Sequence, residues 1–227
     1  MPQTSHNANI VWPLKPLSLF VIAAFLIVDA SAWVPIVKTA ATGAPRKPFV
    51  WNGSHGDAVF VMLPFRVGIL VDGGKDRSII DDLAKTPAAE THHIDLVVIS
   101  DPEIARFGGL ASVLEEYSIG AIAYDGRNAL GTDVPAWKAL MQAVAIKGIP
   151  LITLGAGDRI LINGHEAAAV LAPDREFASS ADVRDGQIVL YANANGKETV
   201  IASHAQPNVL RTVRARYPEL RPDAVIQ

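Results

Sequence analysis

The sequence predicts an α/β fold, with mixed sheets flanked by helices and an N-terminal hydrophobic helix ahead of them. Three observations carry that expectation. Ile94–Ser100 is a near-continuous β-branched run, the pattern of a strand buried on both faces. Strand and helix patterns alternate through the first half of the chain, while short strands bounded by Gly, Asn or Pro dominate the second. Before all of these, Leu17–Val28 is a stretch of twelve residues that is apolar except for Ser18.

That stretch follows Lys15 and is interrupted by Asp29. Two readings stay open. Its length suits the apolar core of a signal peptide, with Ala30-Ser31-Ala32 as a small-x-small cleavage pattern. Extended through Val37 it is long enough to cross a bilayer as an anchor, with Asp29 near an interface. Being apolar all round, it does not read as an amphipathic helix of a soluble core. Residues 1–37 are therefore expected to be a signal or anchor segment, and localisation to be membrane-bound or secreted. Residues 38–48 (KTAATGAPRKP) read as a linker, and 49–227 as an extracytoplasmic domain.

Within the domain, Asp57–Pro64 and Val67–Val71 are apolar runs split by Phe65-Arg66, which predicts a hairpin, and the tight turn Asp72-Gly73-Gly74 ends the second run. Asp76–Leu83 has helical spacing. After the strand Ile94–Ser100 come Gly108-Gly109, a helix over Leu110–Tyr117, a strand over Ile119–Tyr124 and a helix over Val134–Ile146. Strands follow at Pro150–Leu154, Asp158–Ile162, Glu166–Leu171, Gln187–Tyr191 and Thr199–Ala202. Asn193-Ala194-Asn195-Gly196 marks a hairpin turn between the last two. A final helix is expected over Asn208–Arg216, with a strand beginning at Asp223.

Composition narrows the chemistry. With no cysteine, disulfides, zinc-thiolate sites and thiol nucleophiles are excluded. Mean hydropathy is +0.25, high for a globular chain and in keeping with a membrane-directed segment. Residues 1–56 carry a net charge of +3 and residues 57–227 of −6, which disfavours a broad electrostatic grip on nucleic acid. The tail Arg211, Arg214, Arg216 and Arg221, opposed only by Glu219, is a local exception, read first as a solvated helix face. No G-x-S-x-G elbow, P-loop, dinucleotide fingerprint, H-x-H or H-E-x-x-H occurs. No dinucleotide cofactor is expected.

The order of motifs from Asn52 to Gln227 resembles the metallo-β-lactamase superfamily, most closely the extracytoplasmic domain of ComEC-type competence proteins. That family opens on D-V-G-Q-G-D-A and a hairpin ending in I-D-G-G; here Asn52-Gly53-Ser54-His55-Gly56-Asp57-Ala58 and Leu70-Val71-Asp72-Gly73-Gly74 stand in those places. Its metal loop, T-H-P-D-A-D-H-I-G-G, corresponds to Ser100-Asp101-Pro102-Glu103-Ile104-Ala105-Arg106-Phe107-Gly108-Gly109. The resemblance implies an αββα sandwich and a metal-dependent hydrolase, in which metal lowers the pKa of a bound water.

At the ligand positions it implies, however, the chain departs from the pattern. Asp101 replaces the first His, and Glu103 stands where the family often has Asp. Ala105 replaces the aspartate of the second metal, and Arg106 the last His. Alanine cannot coordinate, and a permanently protonated arginine repels a divalent cation. The bridging aspartate of the family's T-G-D is also missing, Ser203-His204 standing there, and the final histidine-bearing loop would fall beyond Gln227. His92 and His93 are adjacent and would face opposite sides of a strand. His55 lies in the degenerate opening loop and His165 in an expected turn. No catalytic, cofactor-binding or metal-ligating residue is therefore assigned.

Three functions are compatible with these residues. The first is a non-catalytic ComEC-like domain, a pseudoenzyme held at the membrane by a transmembrane helix, whose partners are DNA or DNA-uptake machinery. The second is a hydrolase of the phosphodiesterase or nuclease type, using an atypical site of Asp72, Asp101, Glu103 and His204. The third is an exported domain with no link to DNA, since fold does not fix function.

Overall fold

The β-branched run at residue 94 forms the centre of the molecule. In the computed structural model it is strand β4 (His93–Val98), flanked on both sides by parallel neighbours, β3 (Gly68–Val71) and β5 (Ser118–Tyr124). The structure describes residues 49–53, 58–63, 66–162, 165–174, 186–194, 197–203 and 205–226. The expected anchor, the linker, His55 and His204 lie outside the described residues, so the N-terminal hydrophobic helix is not among the elements below. Among the described residues no helix is long and apolar enough to cross a membrane.

The first sheet has six strands in the order β1-β2-β3-β4-β5-β6, adding β1 (Phe49–Asn52), β2 (Val59–Met62) and β6 (Leu151–Thr153). The expected hairpin is present, with β2 and β3 antiparallel and Val59 opposite Val71. The second sheet has five, β11-β10-β9-β8-β7: β7 (Arg159–Ile162), β8 (His165–Ala172), β9 (Val189–Ala194), β10 (Lys197–Ile201) and β11 (Ala224–Ile226). It is antiparallel except for the parallel pair β10–β11.

Alternation of side chains along each strand sorts the core into layers. Val59, Val61, Ile69, Val71, Leu96 and Val98 of the first sheet meet Ala168, Val170, Leu190, Ala192 and Ile201 of the second in one buried cluster. The opposite parity, Phe60, Leu70, Val97 and Ile122, packs against helices. These are α1 (Ile79–Leu83), α2 (Ala88–Thr91), α3 (Ile104–Phe107), α4 (Leu110–Glu116) and α5 (Val134–Ile146), with Phe107, Leu110, Val113, Trp137 and Leu140 as their main apolar contributions. On the far side Leu171, Val189 and Val200 pack under Val209 and Val213 of α6 (Pro207–Arg216). The layers run helix, sheet, sheet, helix, the αββα sandwich that the resemblance implies.

Two expectations are corrected, and one strand finds its sheet. The helix expected from Asp76 begins only at Ile79, because the Asp76 carboxylate accepts the Ser78 N–H at 2.9 Å and holds the preceding residues in a turn. The strand expected over Pro150–Leu154 is β6, and it joins the first sheet, parallel to β5. His92 is not on a strand: it ends α2 in the left-handed region (φ 49°) and stacks on Tyr117.

The paired glycines prove to be a close-approach device. A Cβ on Gly108 would lie 2.1 Å from the Lys75 carbonyl oxygen, and one on Gly109 2.2 Å from that of Gly73. The Gly109 N–H donates to the Gly74 carbonyl at 3.0 Å, locking the turn after β3 against the start of α4. Because the obstructing atoms are backbone, Gly109→Ala is expected to cost about 3 kcal/mol or more, read as a lower midpoint in urea unfolding.

Candidate functional site

The parallel strands β3, β4 and β5 all end on the same side, and each hands over within two residues to acidic or hydroxyl residues. Asp72 follows β3, Ser100 and Asp101 follow β4, and Asp125 follows β5; all are buried. Crevices at such strand ends are where open α/β sheets place their ligands. Arg106 of α3, Arg127, Gln187 and Ser203 are the other buried polar residues of this end.

Asp72 is wholly buried and sits at φ 62°, a left-handed conformation that aspartate tolerates better than most residues. The Ser100 N–H donates to its Oδ1 and the Ser100 hydroxyl to its Oδ2, each at 2.7 Å. Burial pushes its carboxyl up to about 6, against the opposing pull of both Ser100 bonds, the Arg106 charge and the nearby Ser203 hydroxyl. Both oxygens of Asp72 therefore already serve the fold.

Asp101 is the opposite case. It is 1% exposed, yet neither carboxylate oxygen has a hydrogen-bond partner. Burial, then the Glu103 charge, push its carboxyl from 3.8 to about 7; Asp125 and Asp72 push the same way, and Arg127 pulls it down. Asp125 is satisfied by one residue: the Arg127 N–H donates to its Oδ1 at 2.8 Å, and the Arg127 guanidinium pairs with its Oδ2.

Of the four residues of the atypical hydrolase site, Asp72, Asp101 and Glu103 share one electrostatic neighbourhood, with Glu103 exposed at its edge. His204 is outside the described residues. Among the described residues no three His, Cys, Asp or Glu side chains are placed to hold a metal ion. Among the described residues the set does not suit a divalent metal, because the buried Arg106 brings a fixed positive charge to Asp72 and Ala105 offers no donor. His93 lies at the opposite end of β4, where its Nδ1 is 2.8 Å from the Ser118 hydroxyl.

Sequence reading missed Asp125, Arg127 and Asp133, whose carboxylate accepts the first N–H of α3 (Ile104, 2.9 Å). A usable signal existed for Asp125-Gly126-Arg127, a charged turn directly after an apolar strand. Two cavities, of about 280 Å³ beside Gly74 and Asp82 and about 100 Å³ between α6 and the end of β8, are lined by residues other than this cluster.

No protein-family model matches the sequence, and no curated protein matches it. The chain is similar to solved metallo-β-lactamases. One from Cronobacter sakazakii shares 17% identity, over 80% of this chain and 78% of that one, at a TM-score of 0.48. The MIM-2 metallo-β-lactamase shares 16%, over 80% and 72%, at 0.48. The Rm3 metallo-β-lactamase shares 17%, over 81% and 78%, at 0.44. At such scores the likeness assigns no chemistry, and the fold rests on the two sheets and their helices.

The two raised carboxyls set a pH dependence. Between about pH 4 and 7 the folded chain holds protons that unfolded aspartates have released. Stability therefore falls as pH rises through that window, and the full penalty stands above it. Asp101→Asn is expected to unfold at a higher temperature than the native chain at pH 8, and to gain about 2–4 kcal/mol on it between pH 5 and pH 8. Thermal unfolding at both pH values checks this.

Proposed function

We propose that the chain carries a metallo-β-lactamase-like domain, tethered to or exported across a membrane and related to ComEC-type DNA-uptake proteins, which binds or scaffolds and does not hydrolyse. The observation that carries this reading is the buried Arg106, whose charge acts on Asp72. On the resemblance, that arginine replaces the last histidine of the metal loop. A guanidinium cannot be deprotonated in a protein, so it neutralises the carboxylate that a metal would otherwise face.

A second reading, a metal-dependent hydrolase with an atypical site, is favoured by one feature: the buried, unpartnered carboxylate of Asp101. Elemental analysis of the full-length chain purified in detergent separates the two. Substoichiometric zinc and manganese, with no phosphodiester cleavage when either is added, is the expected result; one or more tightly held ions per chain would overturn the non-catalytic reading.

The DNA link has a separate test. On α6, Arg211 and Arg214 are exposed, whereas Arg216 is paired with Asp174, which raises the arginine's pKa and lowers the carboxyl's. If the domain grips a DNA backbone through this helix, Arg211→Ala combined with Arg214→Ala weakens duplex binding. The change also reduces the slope of log affinity against log salt by about 2. Absence of salt-dependent binding by the native chain would leave an exported domain with no link to DNA.

A further inference from the structure

Among the described residues β6 is the outermost strand of the first sheet, and all three of its residues are exposed. It lies within residues 148–157, a run of ten without a charge, whereas edge strands are commonly protected by charged side chains. Leu151 is 44% exposed, Ile152 43%, and Ile146 at the end of α5 78%. The bonds to β5 show which backbone groups of this edge are committed. The Ile122 N–H donates to the Pro150 carbonyl at 2.9 Å, and the Leu154 N–H to the Tyr124 carbonyl at 2.8 Å. In a parallel ladder that parity turns the bonding groups of residues 150, 152 and 154 towards β5. It turns the N–H and C=O of Leu151 and Thr153 outward.

We infer that the β6 edge is a self-pairing surface, on which a second copy of this chain adds its own β6, antiparallel, about a two-fold axis through Ile152. In that register Leu151 of each copy stands opposite Thr153 of the other, so every outward N–H and C=O of the two strands finds a partner. The flanking charges select the antiparallel sense. Lys147 precedes the uncharged run and Asp158 follows it, so reversing the second strand brings each lysine towards the other copy's aspartate. A parallel pairing sets like beside like. Arg159 does not oppose this, because Ile160 packs between the sheets and alternation turns Arg159 to the outer face of the second sheet. Side chains agree with the register on both faces. Leu151 is level with Ile122 on the helix-covered face, and Ile152 with Ala123 on the face between the sheets. Ile152 therefore meets its own counterpart across the axis.

The chain has no cysteine, so introduced thiols report this register without background. Residues facing each other at a position without ladder bonds stand about 4.5 Å apart between Cα atoms, within the about 4.4–6.8 Å that a disulfide spans. The full-length Ile152→Cys chain, in detergent with diamide as oxidant, is compared with Leu161→Cys, an exposed position on β7. Ile152→Cys is expected to form a thiol-reversible dimer at least about ten times faster, because pairing holds its thiols at high effective concentration. Adding Leu151→Lys to Ile152→Cys, which puts a charge into the junction, is expected to abolish that advantage. Equal rates at positions 152 and 161 overturn the inference, whether they come from random collision, from association through other parts of the chain, or from an edge occupied by another molecule. So does an Ile152→Cys rate that Leu151→Lys leaves unchanged.

Discussion

Both oxygens of the Asp72 carboxylate are held by Ser100, through its N–H and its hydroxyl, in a place that water does not reach. The same residue's N–H donates to the Val98 carbonyl at 2.8 Å, so the β3–β4 ladder continues one step beyond the regular strands. With φ at 62°, the chain then turns sharply into Gly73 and Gly74. That turn meets α3 and α4: the Gly73 N–H donates to the Arg106 carbonyl at 2.6 Å, and the paired glycines at 108 and 109 let the backbones touch. One buried carboxylate thereby sets the geometry of two strand ends, a turn and the helices that cover them.

A charge so placed needs an answer, and in this chain the answers are guanidinium groups. Arg106 acts on Asp72, and Arg127 pairs with Asp125 and acts on Asp101. Arginine does not release its proton, so any mismatch between the buried charges is resolved on the acid side. The result is the pair of carboxyls raised to about 6 and about 7, with desolvation as the main cause in both. Such a cluster stabilises less than apolar packing of the same volume. The cluster sits at the ends of the parallel strands β3, β4 and β5, the place where open α/β sheets commonly bind ligands.

Much of the scaffold was legible because it depends on local periodicity. The β-branched run of β4, the hairpin of β2 and β3, and the helices α5 and α6 were read from spacing alone. What spacing misplaced or left open has local or lateral causes. Asp76 captures the Ser78 N–H and delays α1, and Leu151–Thr153 has no pattern that says which sheet it will join. Strand partnership is decided by a neighbour's edge, not by the strand's own composition.

The candidate site divides in the same way. Asp72, Asp101 and Arg106 stand beside glycine-marked turns, so the charge that each brings was visible in the sequence. Asp125 and Arg127 belong to the loop after β5, and only the sandwich brings them to the same end. The amino-acid order by itself determined which ionisable groups the chain can bring to a site, since ionisation and donor capacity belong to each side chain. Tertiary structure alone decided which carboxylate is satisfied, which is stranded, and which arginine pairs with a buried acid. Burial and contact distance are properties of the packed chain, and those two quantities set the charge of this site.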